Sequence, residues 1–305
     1  MNALNTRRYP FYISIATLVV AIIIVLTGLF LWISHHESST AALDIADRFF
    51  SEINEKVAER YESALESVAV LAGSAALMPG MADKPTGFGL SHPGLNFMIK
   101  ALEHYQYLFS LYTGYDDGTF LQVTASRGVA AVNAKFDAPA ETWFIVRTIL
   151  TGGAGNSRQF WTFLDNDKQR LLSRAEHTPR FDPRQRPWYL GALESDQAVY
   201  TAPYIFNASK LPGITCAEQL SSGAGVFGAD ITLEQFSESL TRQRISDNSQ
   251  LFFFDKTGRV LVHPTEQTIK QVITKSGGIS IEEVRFLKGE EARDPVFKAV
   301  IASYA

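Results

Sequence analysis

Residues 111–123 read LYTGYDDGTFLQV. Two apolar-rich stretches flank Asp116-Asp117-Gly118, and a glycine after two aspartates supplies the positive φ that a tight chain reversal needs. This predicts a β-hairpin, Tyr107–Tyr115 against Thr119–Thr124. Residues 251–263, LFFFDKTGRVLVH, repeat the type: apolar strand, Asp255-Lys256-Thr257-Gly258, apolar strand. The echo predicts two related sheet modules in tandem.

Before and between the hairpins the pattern is mixed. Asn96–His104, Glu141–Leu150 and Pro187–Leu193 are predicted helices, the last with proline in its first turn. Gln159–Leu164 and Arg170–Ala175 are predicted strands joined across Asp165-Asn166-Asp167-Lys168. Tyr200–Asn207, Ile214–Gln219 and Val226–Ile231 are predicted strands too. Thr232 with Gln235 has capping-box spacing for a helix to about Arg244, and Asp294–Ala302 reads as a final helix. The fold class is α+β, helices with antiparallel sheet. One hairpin and one helix after residue 250 are too few to close a sheet, so the chain is expected to be cut from a longer protein, inside or near the end of its second module.

Upstream, Phe11–Ile33 (FYISIATLVVAIIIVLTGLFLWI) holds no charged residue. At ~1.5 Å per residue it covers a ~30 Å hydrocarbon core. Arg7 and Arg8 precede it and His35, His36 and Glu37 follow, so the positive-inside rule predicts a cytoplasmic N-terminus and an external body. The rival, a cleaved signal peptide, expects a shorter core of ~7–15 residues. From Ser39 to Leu77, Leu43, Ala46, Phe50, Ile53, Val57, Tyr61, Ala64, Val68 and Leu71 recur at alternating three- and four-residue intervals. That predicts a long helix with one apolar face, ended by Met78-Pro79-Gly80. The face packs on its own domain, pairs with a second copy as a parallel homodimer, or does each at different heights.

The formal net charge of −4 leaves no basic footprint for nucleic acid. Cys216 is the single cysteine, so no intrachain disulfide forms. The histidines are dispersed apart from His35-His36, and no metal or cofactor is expected. No Walker loop, HExxH or GxSxG occurs. Gly152-Gly153-Ala154-Gly155 follows a predicted helix and reads as a loop rather than a phosphate cradle. Composition and motifs point to a binding protein, with a membrane-anchored hydrolase or a structural dimerisation domain as the alternatives.

The most specific stretch is Phe181-Asp182-Pro183-Arg184-Gln185-Arg186-Pro187-Trp188-Tyr189, followed by Tyr204, by Pro212-Gly213-Ile214-Thr215 and by Gly225-Val226-Phe227-Gly228-Ala229-Asp230-Ile231. Arg186 offers a planar donor fork suited to a carboxylate. Trp188 and Tyr189 offer flat walls with one polar handle each, and Asp230 can accept from an ammonium group. A positive and a negative end across an aromatic-lined space suit an α-amino acid. The plainer readings are that Arg186 pairs with Asp230, that Trp188 and Tyr189 pack in the core, that Asp230 caps a helix, and that Asp182 and Arg184 form a turn and a salt bridge.

With the N-terminal anchor and long helix, this combination resembles the double Cache family of bacterial extracytoplasmic sensor domains, over about Ser38–His263. It is most similar to those of membrane-bound class III nucleotide cyclases and HD-type cyclic-dinucleotide phosphodiesterases, with chemoreceptors and histidine kinases as the alternatives. The resemblance implies tandem PAS-like modules, the membrane-distal one binding a small ligand and the proximal one relaying the signal to a cytoplasmic output. The amino-acid-sensing branch has a motif that this chain matches at Arg186, Trp188, Tyr189 and Asp230. Phe181 stands where that branch has tyrosine, and Phe206, two after Tyr204, where it often has an acid; both favour a more apolar ligand or one without a free amine. The implied ligand contacts are Phe181, Arg186, Trp188, Tyr189, Tyr204, Phe206 and Asp230. The implied organisation is a cytoplasmic segment 1–10, a transmembrane anchor 11–33, a long helix 38–78, a ligand-binding module 79–245 and the start of a second module 246–305.

Overall fold

The computed structural model describes residues 11–152, 157–177, 181–206, 208–236, 252–254, 257–263, 268–276 and 279–304. It divides into two compact units, residues 1–59 and 60–305. A single helix, α1 (Phe11–Leu77, 67 residues), passes through both, so the anchor and the rod expected as separate helices are one, ~100 Å long at 1.5 Å per residue. No proline or glycine-rich break separates the two segments, and a helix propagates where nothing stops it. Ile15–His36 within it is long and apolar enough to cross a membrane, with a mean hydropathy of 2.8. The helix ends before the Pro79–Met81 turn.

In the second unit, α2 (Leu95–His104) leads into β1 (Leu108–Tyr115) and β2 (Phe120–Ala125). A short helix α3 (Ala130–Lys135) follows, then β3 (Phe144–Thr151), β4 (Ser157–Leu164) and β5 (Arg170–His177). After α4 (Pro187–Leu193) come β6 (Val199–Tyr200), β7 (Tyr204–Ile205), β8 (Pro212–Gln219) and β9 (Gly225–Thr232). These strands form one antiparallel nine-stranded sheet in the order β5-β4-β3-β2-β1-β9-β8-β6, with β7 also on β8. The first hairpin closes as its turn residues dictate, with Gly118 at φ 88°.

Three predicted elements need correction. Glu141–Leu150 is not a helix: its centre is strand β3, between β2 and β4. Phe144, Ile145, Val146 and Ile149 are all buried, and a strand covered on both faces shows no alternation, so its apolar run mimics a helical period. The Gly152–Gly155 run therefore follows a strand, and β3 and β4 pair up to Thr151–Ser157. The predicted strand Tyr200–Asn207 is instead two short strands, β6 and β7. The predicted helix after Thr232 lies outside the described residues beyond Phe236; at its start, Thr232 Oγ1 accepts from the Gln235 amide at 3.3 Å.

Beyond residue 251 the structure describes the expected hairpin, β10 (Phe253–Phe254) with β11 (Val260–Val262). It adds a hairpin that was not expected, β12 (Ile269–Ser276) with β13 (Ile279–Phe286). IKQVITKS and ISIEEVRF alternate weakly, with charges breaking the apolar period, which hides them. A final helix, α5 (Pro295–Tyr304), packs Phe297 against Val260, Leu287 and Ala292.

Side-chain alternation sorts the large sheet into two faces. On one, Leu121, Val123, Phe144, Val146, Cys216, Phe227, Ala229 and Ile231 pack against Val68, Ala72, Ala75 and Ala76 of α1 and Met98, Ile99 and Leu102 of α2. From Tyr61 on, the predicted stripe of α1 thus packs on its own domain. Small residues at 72, 75 and 76 let the helix sit close to the sheet. Arg127 Nη2 donates to the Leu102 and Leu108 carbonyls at 2.9 Å each, tying the end of α2 to β1. The other face carries Tyr112, Phe120, Gln122, Arg147 and Asp230 and is hollow.

Leu111 is fully buried in the core on the helix-covered face. Leu111→Ala is expected to lower unfolding stability by about 2–5 kcal/mol. Leu193→Ala, on the exposed side of α4, should change it by about 0.5 kcal/mol or less. Urea unfolding of the two variants checks both.

Candidate functional site

The hollow face of the sheet encloses a cavity of about 260 Å³, below the ~300–1,000 Å³ of pockets that hold drug-sized molecules. Its floor is Tyr112, Phe120, Gln122, Arg147 and Asp230. Phe181, Arg186, Pro187 and Trp188 close one side, and Tyr204–Phe206, Ala208 and Ser209 the other. A register shift in β1 between Leu108 and Ser110 bulges the strand, and Phe109 lines the same cavity as Tyr112.

The motif before α4 is built by local rules. Asp182 Oδ1 accepts from the Arg184 amide at 3.0 Å and opens a 3₁₀ turn, Pro183–Gln185. The Arg184 guanidinium returns to the Asp182 carboxylate at 2.9 and 2.8 Å, so these two residues are occupied with each other. Arg186 then takes an extended conformation as the N-cap of α4. Its guanidinium lies 4.8 Å from the Phe181 ring centroid, and its buried Nε has no hydrogen-bond partner. Among the described residues no salt bridge joins it to Asp230, although both line the cavity.

Asp230, on β9, is buried, and its Oδ1 accepts from Tyr112 and Thr215 hydroxyls at 2.6 Å each. The Tyr204 hydroxyl meets Thr215 Oγ1 at 2.7 Å. With Tyr204 donating to Thr215 and Thr215 donating onward, every hydroxyl proton points toward Asp230, which is the terminal acceptor. Among the described residues no group donates to Asp230 Oδ2. Burial pushes the carboxyl up to about 7 against the pull of the two hydroxyls.

The residues named from the sequence converge with one exception. Phe181, Arg186, Trp188, Tyr204, Phe206 and Asp230 all line the cavity. Tyr189 does not: it packs beside Trp188 in the apolar cluster under α4 and reaches toward Gly114. Successive helical residues diverge by about 100°, so Trp188 and Tyr189 cannot both face one cavity.

Tyr112, Gln122 and Arg147 were not singled out from the sequence, and Thr215, quoted within the motif, was given no role there. Tyr112, Gln122 and Thr215 are ordinary strand residues until the register is known. Arg147 did leave a signal, as a lone charge inside the apolar run Trp143–Leu150. It is 5% exposed. Nε and Nη2 donate to Gln159 Oε1 at 2.9 and 2.7 Å, and its guanidinium lies 5.1 and 4.9 Å from the rings of Trp161 and Phe181. Burial, then the charge of Arg186, lower it to about 10, which leaves it cationic at neutral pH. Among the described residues no cluster of three His, Cys, Asp or Glu could hold a metal ion.

Two measurements test this geometry. A Cβ on Gly228 would collide with the Tyr112 ring. Gly228→Ala is therefore expected to displace Tyr112 from Asp230 and cost about 1–3 kcal/mol in urea unfolding. Asp230 titrates near 3.8 when unfolded and about 7 when folded. Its stabilising proton is fully in place below about pH 4 and is lost as pH rises toward 7. The melting temperature of Asp230→Asn, which cannot ionise, should gain on the wild type across that window; parallel melting curves from pH 4 to 8 would contradict it.

No family model matches the chain. By sequence it is similar to adenylate cyclase 1 of Rhizobium meliloti (strain 1021), 29% identical over 168 residues, covering 55% of this chain and 25% of that protein. It is also similar to methyl-accepting chemotaxis protein McpB of Bacillus subtilis (strain 168), 30% identical over 115 residues, covering 37% of this chain and 16% of that one. The chain thus spans a quarter or less of the length of these curated relatives. Among solved structures, it aligns with the ligand-binding domain of the Pseudomonas fluorescens chemoreceptor CtaA in complex with L-serine. The TM-score is 0.44 and the identity 22%, over 73% of this chain and 74% of that one. The ligand-binding domain of Pseudomonas aeruginosa PctB with L-Arg aligns at a TM-score of 0.39 and 18% identity, over 70% and 64%. The chain is similar, then, to an adenylate cyclase and to chemotaxis proteins in sequence, and its structural neighbours are chemoreceptor ligand-binding domains.

Proposed function

We propose that this chain is the sensory part of a membrane-anchored signalling protein and that its cavity binds a small ligand bearing a carboxylate, such as an amino acid. One observation carries this. Arg186 brings a guanidinium without a hydrogen-bond partner, and Asp230 a carboxyl with one unused oxygen, to the same aromatic-lined cavity. Unpaired buried polar groups are costly, and a ligand supplies their partners. Phe181, Trp188, Tyr204 and Phe206 form its walls, and Tyr189 supports Trp188 from behind.

The N-terminus is cytoplasmic and the sensory unit lies outside the bacterial inner membrane, by the flanking arginines. The ligand-binding module comprises residues 79–245 and a second module begins at 246. α1 pairs with a second copy as a homodimer through its apolar stripe before Tyr61. The output, absent from this chain, is a nucleotide cyclase or another signalling module, in keeping with the similarity to adenylate cyclase and chemotaxis proteins.

Tyr200 supplies a route out of the site. Its hydroxyl donates to the Leu65 carbonyl of α1, and it pairs in the sheet with Cys216, next to Thr215. Movement of Thr215 on ligand closure displaces β8 and, through Tyr200, the helix. A ligand biases this equilibrium only by its differential affinity for the two arrangements.

Thermal-shift screening of the chain in detergent against amino acids, amines and carboxylates tests the proposal. A ligand at 100 times its dissociation constant should add about 2.7 kcal/mol. Arg186→Ala should weaken a carboxylate ligand by about 2–5 kcal/mol in titration calorimetry. Unchanged affinity with the fold intact would remove Arg186 from the site.

A further inference from the structure

The charges around the cavity do not balance. Arg147 and Arg186 line it with two permanent cations, against the single carboxyl of Asp230. Both guanidiniums lie within 4.9 Å of the centroid of one ring, Phe181, which fixes them close enough to repel each other. Among the described residues Arg186 makes no side-chain hydrogen bond. Arg147 spends Nε and Nη2 on the neutral Gln159, and among the described residues Nη1 has no hydrogen-bond partner. Among the described residues no salt bridge joins Arg147 to an acid; Gln159 Nε2 donates to Glu176 Oε2 at 3.1 Å, and the Glu176 charge offsets the repulsion from Arg186 only in part. Glu176 is itself engaged by Arg174 at 2.9 Å.

A neutral amino acid would satisfy one guanidinium with its carboxylate and Asp230 with its ammonium. The second guanidinium would stay buried without a counter-charge. A ligand with two acidic groups neutralises both arginines. If it also carries an amine, that group meets ionised Asp230; if it does not, protonated Asp230 leaves the sum at zero just the same. We infer that Arg147 and Arg186 together form a double anion subsite, with Arg147 the specificity-determining member, and that the ligand is a small molecule with two acidic groups. This rests on the cavity being the ligand site proposed above.

Pairs of ligands matched in shape and differing in one charge test it. Titration calorimetry of the full chain in detergent would compare L-glutamate with L-glutamine and L-aspartate with L-asparagine, with succinate as the diacid lacking an amine. The acid of at least one pair is expected to bind tenfold or more tighter than its amide. Arg147→Gln should shrink that ratio to threefold or less, by weakening the acid more than its amide. Preference for succinate over both amino diacids would identify a ligand without an amine. Amides that bind as well as their acids in the wild type overturn the two-acid assignment and leave amino-acid sensing standing. This comparison decides the matter even if Arg147→Gln does not fold. Equal loss of acid and amide in a folded Arg147→Gln variant makes Arg147 a structural residue and also overturns it. Binding of none of the five compounds removes the carboxylate-ligand reading of the cavity together with this one.

Discussion

The two hydroxyl hydrogen bonds to Asp230 are the interaction around which the large sheet is organised. They gather three neighbouring strands at one buried carboxyl: Tyr112 from β1, Thr215 from β8 and Asp230 from β9. A carboxyl taken out of water without partners would be prohibitive. Here the hydroxyls supply two donors to one oxygen, and the carboxyl faces the cavity. The register Thr215 opposite Asp230 and Ser110 opposite Asp230 makes the arrangement a property of the sheet rather than of a loop. Strands hold such groups more tightly than loops do.

The same sheet explains why one face is solid and the other hollow. Small residues of α1 and the apolar ridge of α2 cover the first face and bury its side chains. The second face presents rings rather than branched aliphatics, and rings leave gaps when they meet at angles. Tyr112 and Trp188 are tilted 57° at 4.8 Å, and Phe120 and Phe181 54° at 4.9 Å. The π faces also stabilise cations, about 0.5–2 kcal/mol each depending on desolvation. That lets two guanidiniums sit in an enclosed space that aliphatic walls would not tolerate. Recognition and packing are thus served by the same rings, and Arg147 and Arg186 depend on Phe181 as much as on any ligand.

Much of the fold was legible in the residues. The DDG turn, the proline at the head of α4 and the Met-Pro-Gly stop after α1 each act within a few residues, so local chemistry decided them. The strand β3 was not legible, because burial on both faces erased the alternation that marks a strand. The pair β12–β13 was not legible either, because charges interrupt its period. The site divides in the same way. Phe181, Arg186, Trp188, Tyr204, Phe206 and Asp230 were identifiable from a motif, whereas Tyr112, Thr215 and Arg147 come from strands whose neighbours are set only by the sheet order.

The sequence by itself determined a charge-free apolar helix at the N-terminus, a long amphipathic continuation, an antiparallel α+β body and a motif with a guanidinium and a distant carboxyl. Each follows from composition or from spacing along one element. Only the tertiary structure decided that Tyr189 faces away while Trp188 faces in. It also decided that Asp230 has two hydroxyl donors rather than a salt bridge with Arg186, and that a second arginine shares the cavity. Those outcomes depend on strand order, register and the rotation of α4. These are set by contacts between residues far apart in the chain, such as Tyr112 and Asp230, 118 positions apart, and no local pattern encodes them.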